Sequence, residues 1–431
     1  MADRGHPFRL RAAAERRSSG QGSPLMIPAH RSRPTFVKML NTGGRGMRGF
    51  VRLEPSELLA AACRRTGLDD FGDASFRDPF ERAVRSIDGE AHLNLIGRIA
   101  ARQDTLRLLA NRLRMIDDAQ RHPEILAGPV RRPIFVTGLP RTGTTLLHGL
   151  LAQDPAHRAP LTWEMMYPSP PPRMRGSRPD RRAELSARQI RWFHRMAPGF
   201  RKIHPTGADL PEECLVIASH AFVSFQFQTM YDVPSYESWL ERQDLHDSYL
   251  WHRRFLQHLQ WKWPPRRWVL KAPAHLFGLE ALLAAYPDAG IVLTHRAPLE
   301  VVGSLASLTV ALRSTFSDDV DPVAVGEEMT ERWSRGLFGA LALRDAGRVS
   351  SDKVTDVRYP DLLRDPIGVV RSIYGRFDTE LTPEAEARMR DFLARNPKNK
   401  SGQHRYTLEE FGLDRERETA RFAEYARRYD L

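Results

Sequence analysis

Cysteine is scarce in this sequence. The 431 residues include only two, Cys63 and Cys214, which lie far apart and lack metal-ligand spacing. Small secreted proteins held together by disulfides carry more cysteines, and structural zinc sites need clustered ones. The composition therefore argues against a disulfide framework and predicts no metal site. Because so few thiols suit a reducing compartment, we expect a cytoplasmic protein.

Long hydrophobic runs are also missing. No stretch approaches the roughly 18 to 20 apolar residues that cross a bilayer, and the N-terminus lacks the apolar core of a secretory signal. We therefore expect no stable membrane insertion. Residues 1–33 are instead rich in Arg, Ser, Gly and Pro. A transit peptide has a similar composition, but we favour a disordered basic tail over residues 1–50, or a true start at Met26 or Met39.

Acidic residues are outnumbered by basic ones. The chain has 53 Asp and Glu against 65 Lys and Arg, which gives a formal net charge of +12 and a pI near 10.0. Such a field favours anionic partners, for example a phosphorylated cofactor, nucleic acid or a membrane surface. The arginines are scattered, without the basic blocks interleaved with aromatics that are typical of a nucleic-acid stripe. We expect no nucleic-acid partner.

What is present is a helical region followed by alternating strands and helices. Residues 51–130 carry apolar side chains at helical spacing and predict a helical N-terminal region. Four short, apolar, β-branched runs then predict strands at residues 134–137, 268–270, 291–294 and 354–357. Each is followed by a turn and a helical run, as in parallel β-α units. We predict an α/β domain over residues 131–431 with a central parallel sheet and a helical insertion at 155–265.

The first predicted strand leads into a glycine-rich loop and a helix. Residues 138–145 read Gly-Leu-Pro-Arg-Thr-Gly-Thr-Thr. In such a loop the backbone N–H groups and the positive helix end point at an anion. A nucleotide-hydrolysing P-loop ends in Gly-Lys-Ser/Thr, but Gly143 is followed by Thr144, so no Lys reaches a β- or γ-phosphate. Arg141 supplies a charge earlier in the loop, which favours a two-anion group over a triphosphate with magnesium.

This loop resembles the 5′-phosphosulfate loop of sulfotransferases that use 3′-phosphoadenosine-5′-phosphosulfate (PAPS). The form with Arg is similar to that of tyrosylprotein sulfotransferases and of a large bacterial family. Three further stretches resemble the family and follow in its order. Thr-His-Arg-Ala-Pro at 294–298, with Ser304, is similar to the 3′-phosphate site. Tyr-Pro-Asp-Leu at 359–362 is similar to the stretch beside the adenine, and residues 400–413 to the C-terminal loop.

The resemblance implies a P-loop-like three-layer α/β fold, sulfotransferase activity, PAPS as co-substrate and no metal. Arg141 and the strand-end Lys271 take the implied catalytic roles at the sulfonate and the bridging oxygen, because positioning and charge stabilisation supply most of the rate in such transfers. The implied cofactor-binding residues are Gly138, Pro140, Arg141, Thr142, Gly143, Thr144, Thr145, Arg296, Ser304, Tyr359 and Arg405.

A general base for the acceptor proton completes the implied site. Cytosolic sulfotransferases place a His two residues after the Lys that corresponds to Lys271, but this chain has Pro273 there. Tyrosylprotein sulfotransferases resemble this chain in having a Glu shortly after the loop helix, which favours Glu164 as the catalytic base. The alternatives that stay open are Glu212, Glu213, His275 and His204.

The acceptor is expected to be a hydroxyl or amine of a small or lipid-like molecule. The segment 155–265, which would cover it, is rich in aromatic residues and Met. Within that segment, Phe222, Phe225 and Phe227 are predicted core residues of a buried helix. Two other functions stay open: a P-loop kinase or nucleotidase, which needs a Walker Lys, and a basic protein that binds nucleic acid or a membrane surface. The second leaves the ordered phosphate motifs unexplained.

Overall fold

A parallel β-sheet forms the centre of the protein. The structure, a computed structural model, describes residues 34–173, 180–198, 206–396 and 406–431. Five strands pair in the order β2-β3-β1-β4-β5. They are β1 (Ile134–Gly138), β2 (His157–Arg158), β3 (Arg267–Lys271), β4 (Gly290–His295) and β5 (Val354–Arg358). The four strands predicted from the sequence are confirmed.

The edge strand β2 was missed by the sequence reasoning. It pairs His157 with Arg267 and Arg158 with Trp268 in parallel register. A two-residue strand made of His and Arg lacks the apolar, β-branched signal on which strand prediction relies. The predicted helical insertion at 155–265 therefore also contains a short strand, which supplies one edge of the sheet.

Alternate residues of β1 face two different helical layers, as the pleat of a strand requires. Ile134 and Val136 belong to one core cluster together with Val370. Phe135 points to the other side and belongs to a second cluster with Leu256. All of these side chains are buried, because a parallel sheet is covered on both faces. The three-layer α/β fold is confirmed.

Helices dominate the chain before β1, as predicted. The described α-helices are α1 (Thr35–Gly43), α2 (Pro55–Thr66), α3 (Arg77–Gly89), α4 (Leu95–Arg121) and α5 (Glu124–Ala127), with short 3-10 helices at Arg45–Phe50 and Ala74–Phe76. The prediction of a disordered tail is wrong for residues 34–50, which include α1. Residues 1–33 lie outside the described part of the chain.

The segment between β1 and β3 carries the loop helix and a group of short helices. They are α6 (Thr144–Leu151), α7 (Thr162–Met166), α8 (Arg181–Met196), α9 (Cys214–Ser219), α10 (Gln226–Met230), α11 (Pro234–Leu240) and α12 (His246–Gln260). The predicted burial of Phe222, Phe225 and Phe227 is confirmed, and these rings pack with the N-terminal helices in one apolar cluster. The N-terminal region therefore supports the segment that follows the loop.

The remaining helices cover the sheet and close the chain. They are α13 (Leu279–Ala285), α14 (Pro298–Phe316), α15 (Pro322–Asp345), α16 (Tyr359–Arg364), α17 (Pro366–Arg376), α18 (Pro383–Arg395), α19 (Arg415–Arg421) and α20 (Ala423–Tyr429), with 3-10 helices at Pro273–Phe277, Ser351–Lys353 and Glu409–Phe411. Among the described residues, α14 alone has the length and apolar composition of a membrane span, and most of it is buried inside the protein.

Candidate active site

The loop after β1 has a backbone shape that its glycines permit. Gly138 and Gly143 have φ angles of 140° and 90°, in the region that side chains disfavour. A Cβ on Gly138 would lie 2.4 Å from the carbonyl oxygen of Thr294 on β4, and one on Gly143 would lie 2.9 Å from the ring of Tyr359. Gly143 caps α6, so the loop delivers its backbone to the N-terminus of a helix. This is the geometry of an anion cradle.

The threonines of the loop divide into internal and outward-facing groups. The Thr142 hydroxyl is fully buried, donates to the Leu139 carbonyl at 2.6 Å and contacts the Thr294 hydroxyl at 2.6 Å. Thr144 and Pro140 are also buried, whereas Thr145 is exposed. Because its hydroxyl is occupied inside the protein, Thr142 braces the loop and leaves only its backbone for a ligand.

Two arginines meet above the loop. Arg296 follows β4, and its Nη1 donates to the backbone carbonyl of Arg141 at 2.8 Å. Loss of water and repulsion from Arg296 lower the pKa of the Arg141 guanidinium. The Arg296 guanidinium also lies 4.3 Å from the Tyr359 ring centroid. A guanidinium whose charged form is disfavoured in this way favours a bound anion.

Glu300 holds Arg296 in place. Its Oε2 accepts hydrogen bonds from Arg296 Nε and Nη2 at 2.9 and 2.6 Å. Sequence reasoning missed this residue, although the spacing of four residues across the start of α14 was an available signal. Glu300 leaves Arg296 Nη1 directed at the loop, so the carboxylate orients the guanidinium.

Ser304 and the C-terminal segment lie along the same helix. Ser304 is nearly buried, in the second turn of α14. Tyr406 donates to the Glu300 carbonyl at 3.2 Å, and a Cβ on Gly303 would lie 2.6 Å from the Tyr406 ring. The chain after residue 405 therefore returns over the start of α14. The predicted ligand Arg405 lies outside the described residues.

Lys271 and Glu213 form a charged pair beside the loop. Lys271 ends β3, next to β1, and only 2% of its side chain is exposed. Its ammonium donates to Glu213 Oε1 and lies 3.4 Å from the Thr145 hydroxyl. Glu213 immediately precedes α9 and retains 18% exposure. A cation and a carboxylate thus share one site at the start of the loop helix, where acid–base and electrostatic chemistry can act together.

A sequence profile of the sulfotransferase family matches residues 133–383, which contain every feature just described except Tyr406. This match covers more than half of the chain. The chain belongs to the sulfotransferase family. It is accordingly an enzyme that transfers a sulfuryl group, and the fold and activity that the sequence resemblance implied are confirmed.

Relatives and solved structures agree with this assignment. The sulfotransferase is 28% identical over 308 residues to the ω-hydroxy-β-dihydromenaquinone-9 sulfotransferases Stf3 of Mycobacterium bovis and Mycobacterium tuberculosis, covering 66% of this chain and 72% of each relative. It is 35% identical to the crystal structure of STF1 from M. tuberculosis, with a TM-score of 0.75 over 86% of this chain and 98% of that one. It is 32% identical to the crystal structure of STF9 from Mycobacterium avium, with a TM-score of 0.79 over 87% of this chain and 96% of that one.

Glu164, the favoured base, lies inside the sulfotransferase core. It is wholly buried, and its Oε1 accepts a hydrogen bond from Arg158 Nη2 at 2.6 Å. Oε2 accepts from the Leu161 backbone at 3.0 Å at the start of α7. Both carboxylate oxygens are therefore engaged with the protein. The prediction did not anticipate the partner, because Arg158 lies on the missed strand β2, and this environment suits a structural role.

The other candidate bases differ in how far their side chains are engaged. Glu212 accepts hydrogen bonds from the Thr162 hydroxyl at 3.1 Å and from the Glu213 backbone at 2.9 Å. His275 Nδ1 lies 2.7 Å from the Tyr249 hydroxyl, and burial lowers the pKa of this imidazole to about 3. His204 lies outside the described residues. Glu213 is therefore the candidate that contacts the strand-end Lys.

A cavity with a mainly apolar wall lies next to this charged pair. Its wall includes Cys214, the residue after Glu213, and Ala272, the residue after Lys271. Tyr249 from α12 and Phe225, which directly precedes α10, also line it. Sequence reasoning missed Tyr249, because an aromatic residue in a helix carries no signal of which cavity it faces. The cavity wall therefore includes the chain neighbours of both Glu213 and Lys271, and most of it is apolar.

Proposed function

We propose that this sulfotransferase uses PAPS as its donor and sulfates a hydroxyl of an apolar, lipid-like small molecule. The 5′-phosphosulfate would bind the loop at residues 138–145 and the N-terminus of α6. The 3′-phosphate would bind Arg296 and Ser304, with Tyr359 beside the adenine and Arg405 as a further phosphate ligand. The observation that carries the donor assignment is the hydrogen bond from Arg296 Nη1 to the Arg141 carbonyl, because it brings the cation that follows β4 against the anion cradle of the loop.

The loop itself fits such a donor. Gly138 and Gly143 leave the backbone uncovered in a cradle that a Cβ would fill, and the loop lacks the Lys that a triphosphate needs. This second point argues against the kinase alternative. When bound, the donor supplies the sulfuryl group and a bisphosphate leaving group. Arg141 and Lys271 would stabilise the negative charge that develops on the sulfonate and on the bridging oxygen.

We further propose Glu213, in place of Glu164, as the general base. Its carboxylate is partly exposed and pairs with Lys271 next to the loop. Glu213 would take the proton of the acceptor hydroxyl as the acceptor oxygen bonds to sulfur and the bond from sulfur to the bridging oxygen breaks. Lys271 contacts the Glu213 carboxylate and lies 3.4 Å from the Thr145 hydroxyl of the loop helix, so its charge would act on both the base and the sulfonate.

The acceptor class follows from the cavity beside this pair. Most of its lining residues are apolar or aromatic, and apolar clefts with a few polar groups bind apolar ligands and fix their orientation. The relative Stf3, by its name, acts on an ω-hydroxylated dihydromenaquinone. An uncharged alcohol on an apolar chain would place its chain in the cavity and its hydroxyl at Glu213.

Calorimetric titration and an acceptor screen test this function. We expect tight binding of adenosine 3′,5′-bisphosphate and none of ATP with magnesium. With labelled PAPS, mass spectrometry should detect sulfate on long-chain alcohols and phenols in preference to sugars. Tight ATP binding without bisphosphate binding would favour a kinase instead. Transfer to sugars alone would refute the apolar acceptor but leave the donor assignment intact.

A further inference from the structure

The N-terminal surface, formed by residues 34–52, exposes an unusual concentration of large apolar side chains. Eleven such side chains are exposed in the described part of the chain, and five of them lie in this short stretch. Phe50 is 83% exposed and Met39 is 69% exposed. Single exposed apolar residues are normal, but a cluster marks an interaction site. The five are Phe36, Met39, Leu40, Met47 and Phe50.

One face of this surface is firmly attached to the protein. Val37 is buried, and the buried Asn41 accepts a hydrogen bond from the Ile96 backbone at 3.2 Å. Arg98 Nε donates to the Val51 carbonyl at 3.1 Å. These contacts fix α1 and the following 3-10 helix against the start of α4. The apolar side chains on the other face are therefore presented outward by a defined structure.

The net positive charge of the sequence is concentrated towards its N-terminal end. Residues 1–53 contain eleven Lys and Arg and two acidic residues, so they carry +9 of the net +12, and the remaining 378 residues carry only +3. Within residues 34–53 there are four basic residues and no acidic one: Lys38, Arg45, Arg48 and Arg52. Exposed apolar residues beside basic ones, in an amphipathic helix, are typical of segments that lie in the headgroup region of an anionic bilayer.

We propose that the N-terminal surface docks this enzyme reversibly on an anionic lipid surface. The apolar side chains would enter the interface, and the exposed Lys38 beside them would contact the lipid headgroups. A second copy of the chain fits less well, because two such surfaces face to face would bring cations against cations. The proposal goes beyond the sulfotransferase function and does not depend on it. It also explains how an enzyme without an exposed membrane span among its described residues would reach a lipid-like acceptor.

Vesicle co-sedimentation of the full-length protein, without donor or acceptor, tests the proposal. We expect binding to phosphatidylcholine vesicles that contain phosphatidylglycerol, weak binding to phosphatidylcholine alone, and release at high salt because screening weakens the headgroup contacts. Combined Phe36→Ser, Met47→Ser and Phe50→Ser substitutions should lower the affinity by about tenfold or more, since each removes buried apolar area at the interface. Lys38→Glu with Arg45→Glu should also weaken binding to the anionic vesicles.

Leu126→Ser is the matched control. Leu126 is 43% exposed and follows α4, whose 27 residues place it about 40 Å from the N-terminal surface along that helix. This variant should bind vesicles as the wild type does. Unaltered circular dichroism would establish that the triple variant is folded. The proposal is overturned if the wild type ignores anionic vesicles, if the triple variant binds them normally, or if light scattering shows that the substitutions dissociate a dimer.

The same variants separate this proposal from the proposed function. The triple variant should sulfate a short, water-soluble alcohol at the wild-type rate, because its substitutions lie outside the active site. With a long-chain alcohol presented in anionic vesicles, its rate should fall. Absence of activity in both proteins would count against the proposed function only, since vesicle binding is measured separately.

Discussion

The proposed donor side and the proposed acceptor side of the active site are built from different kinds of chemical group. The donor side consists of the loop at residues 138–145, Arg296 and Tyr359, and it uses backbone N–H groups and cations. The acceptor side consists of the cavity wall from α9, α12 and the 3-10 helix Pro273–Phe277, and it is mainly apolar. The pair of Lys271 and Glu213 lies between them. On the proposed assignment, each part of the donor side is a short motif at the end of a strand, whereas the acceptor side is a wall of apolar side chains from several helical segments.

The largest effect is expected where the two sides meet. Glu213→Gln should lower turnover by about 10²- to 10⁴-fold, the range typical of a lost general base, while the affinity for adenosine 3′,5′-bisphosphate stays close to that of the wild type. Stopped assays with labelled PAPS and calorimetry measure the two quantities. Glu212→Gln is the matched control and should retain most of the turnover. Full activity in Glu213→Gln would move the base elsewhere.

Breaking the buried ion pair of Glu164 and Arg158 should lower the stability of the fold and leave turnover unchanged. Glu164→Gln removes the charge that faces Arg158 in the core, and the loss of one partner of a buried pair costs about 3–5 kcal/mol. Urea unfolding measures this loss, and the folded fraction should keep its turnover. Glu184→Gln, at an exposed position in α8, should change the free energy of unfolding by less than about 0.5 kcal/mol. A stable but inactive Glu164→Gln enzyme would restore the catalytic assignment to Glu164.

On the donor side, Arg296→Ala should weaken binding selectively. A hydrogen bond to a charged group contributes about 1.5–3 kcal/mol, so the affinity for adenosine 3′,5′-bisphosphate should fall by about tenfold to a hundredfold. The affinity for adenosine 5′-phosphate, which lacks the 3′-phosphate, should change much less. Calorimetry with both ligands tests this difference. Equal losses would show that Arg296 acts only by supporting the Arg141 carbonyl in the loop.

The acceptor side should also make the enzyme sensitive to acid. Burial lowers the pKa of His275 and His220 to about 3, below the ordinary value of about 6.5. The unfolded chain binds more protons in this interval, so the stabilisation is complete above about pH 6.5 and is lost as the pH falls, by at most about 1.4 kcal/mol per pH unit for each His. Urea unfolding at several pH values measures the slope.

The variant His275→Phe isolates one of these contributions. It removes one titrating group from the acceptor side, so the pH dependence of the free energy of unfolding should weaken by up to one proton. An unchanged slope would mean that His275 is not held neutral in the folded protein.

The same contrast determines how much could be predicted from the sequence. The strands β1, β3, β4 and β5 carry dense apolar signals, and the loop motif is contiguous, so the three-layer fold and the approximate place of Arg141, Lys271 and Arg296 followed from the chain alone. Glu164 was favoured because of its distance in sequence from the loop. Its partner Arg158 lies on a two-residue strand without an apolar pattern, so a buried ion pair could not be foreseen.

The acceptor side resisted prediction for a related reason. Tyr249, Cys214 and Ala272 come from three separate segments, and only tertiary packing brings them to one cavity. The sequence likewise could not distinguish Glu212 from Glu213 as the candidate base, because the two residues are adjacent. Their different partners, Thr162 for one and Lys271 for the other, exist only in the folded protein.

The close contact between Gly138 and Thr294 has a consequence for how the enzyme could be altered. These residues are paired in the register of β1 and β4. Gly138 begins the loop and Thr294 lies two residues before Arg296, so each strand leads to one proposed anchor of the donor. The hydrogen bonds between these neighbouring strands therefore fix the distance between the two anchors. Redesign of the cavity wall for a different alcohol would leave that distance unchanged. Variants that accept new alcohols should therefore keep the donor affinity of the parent enzyme.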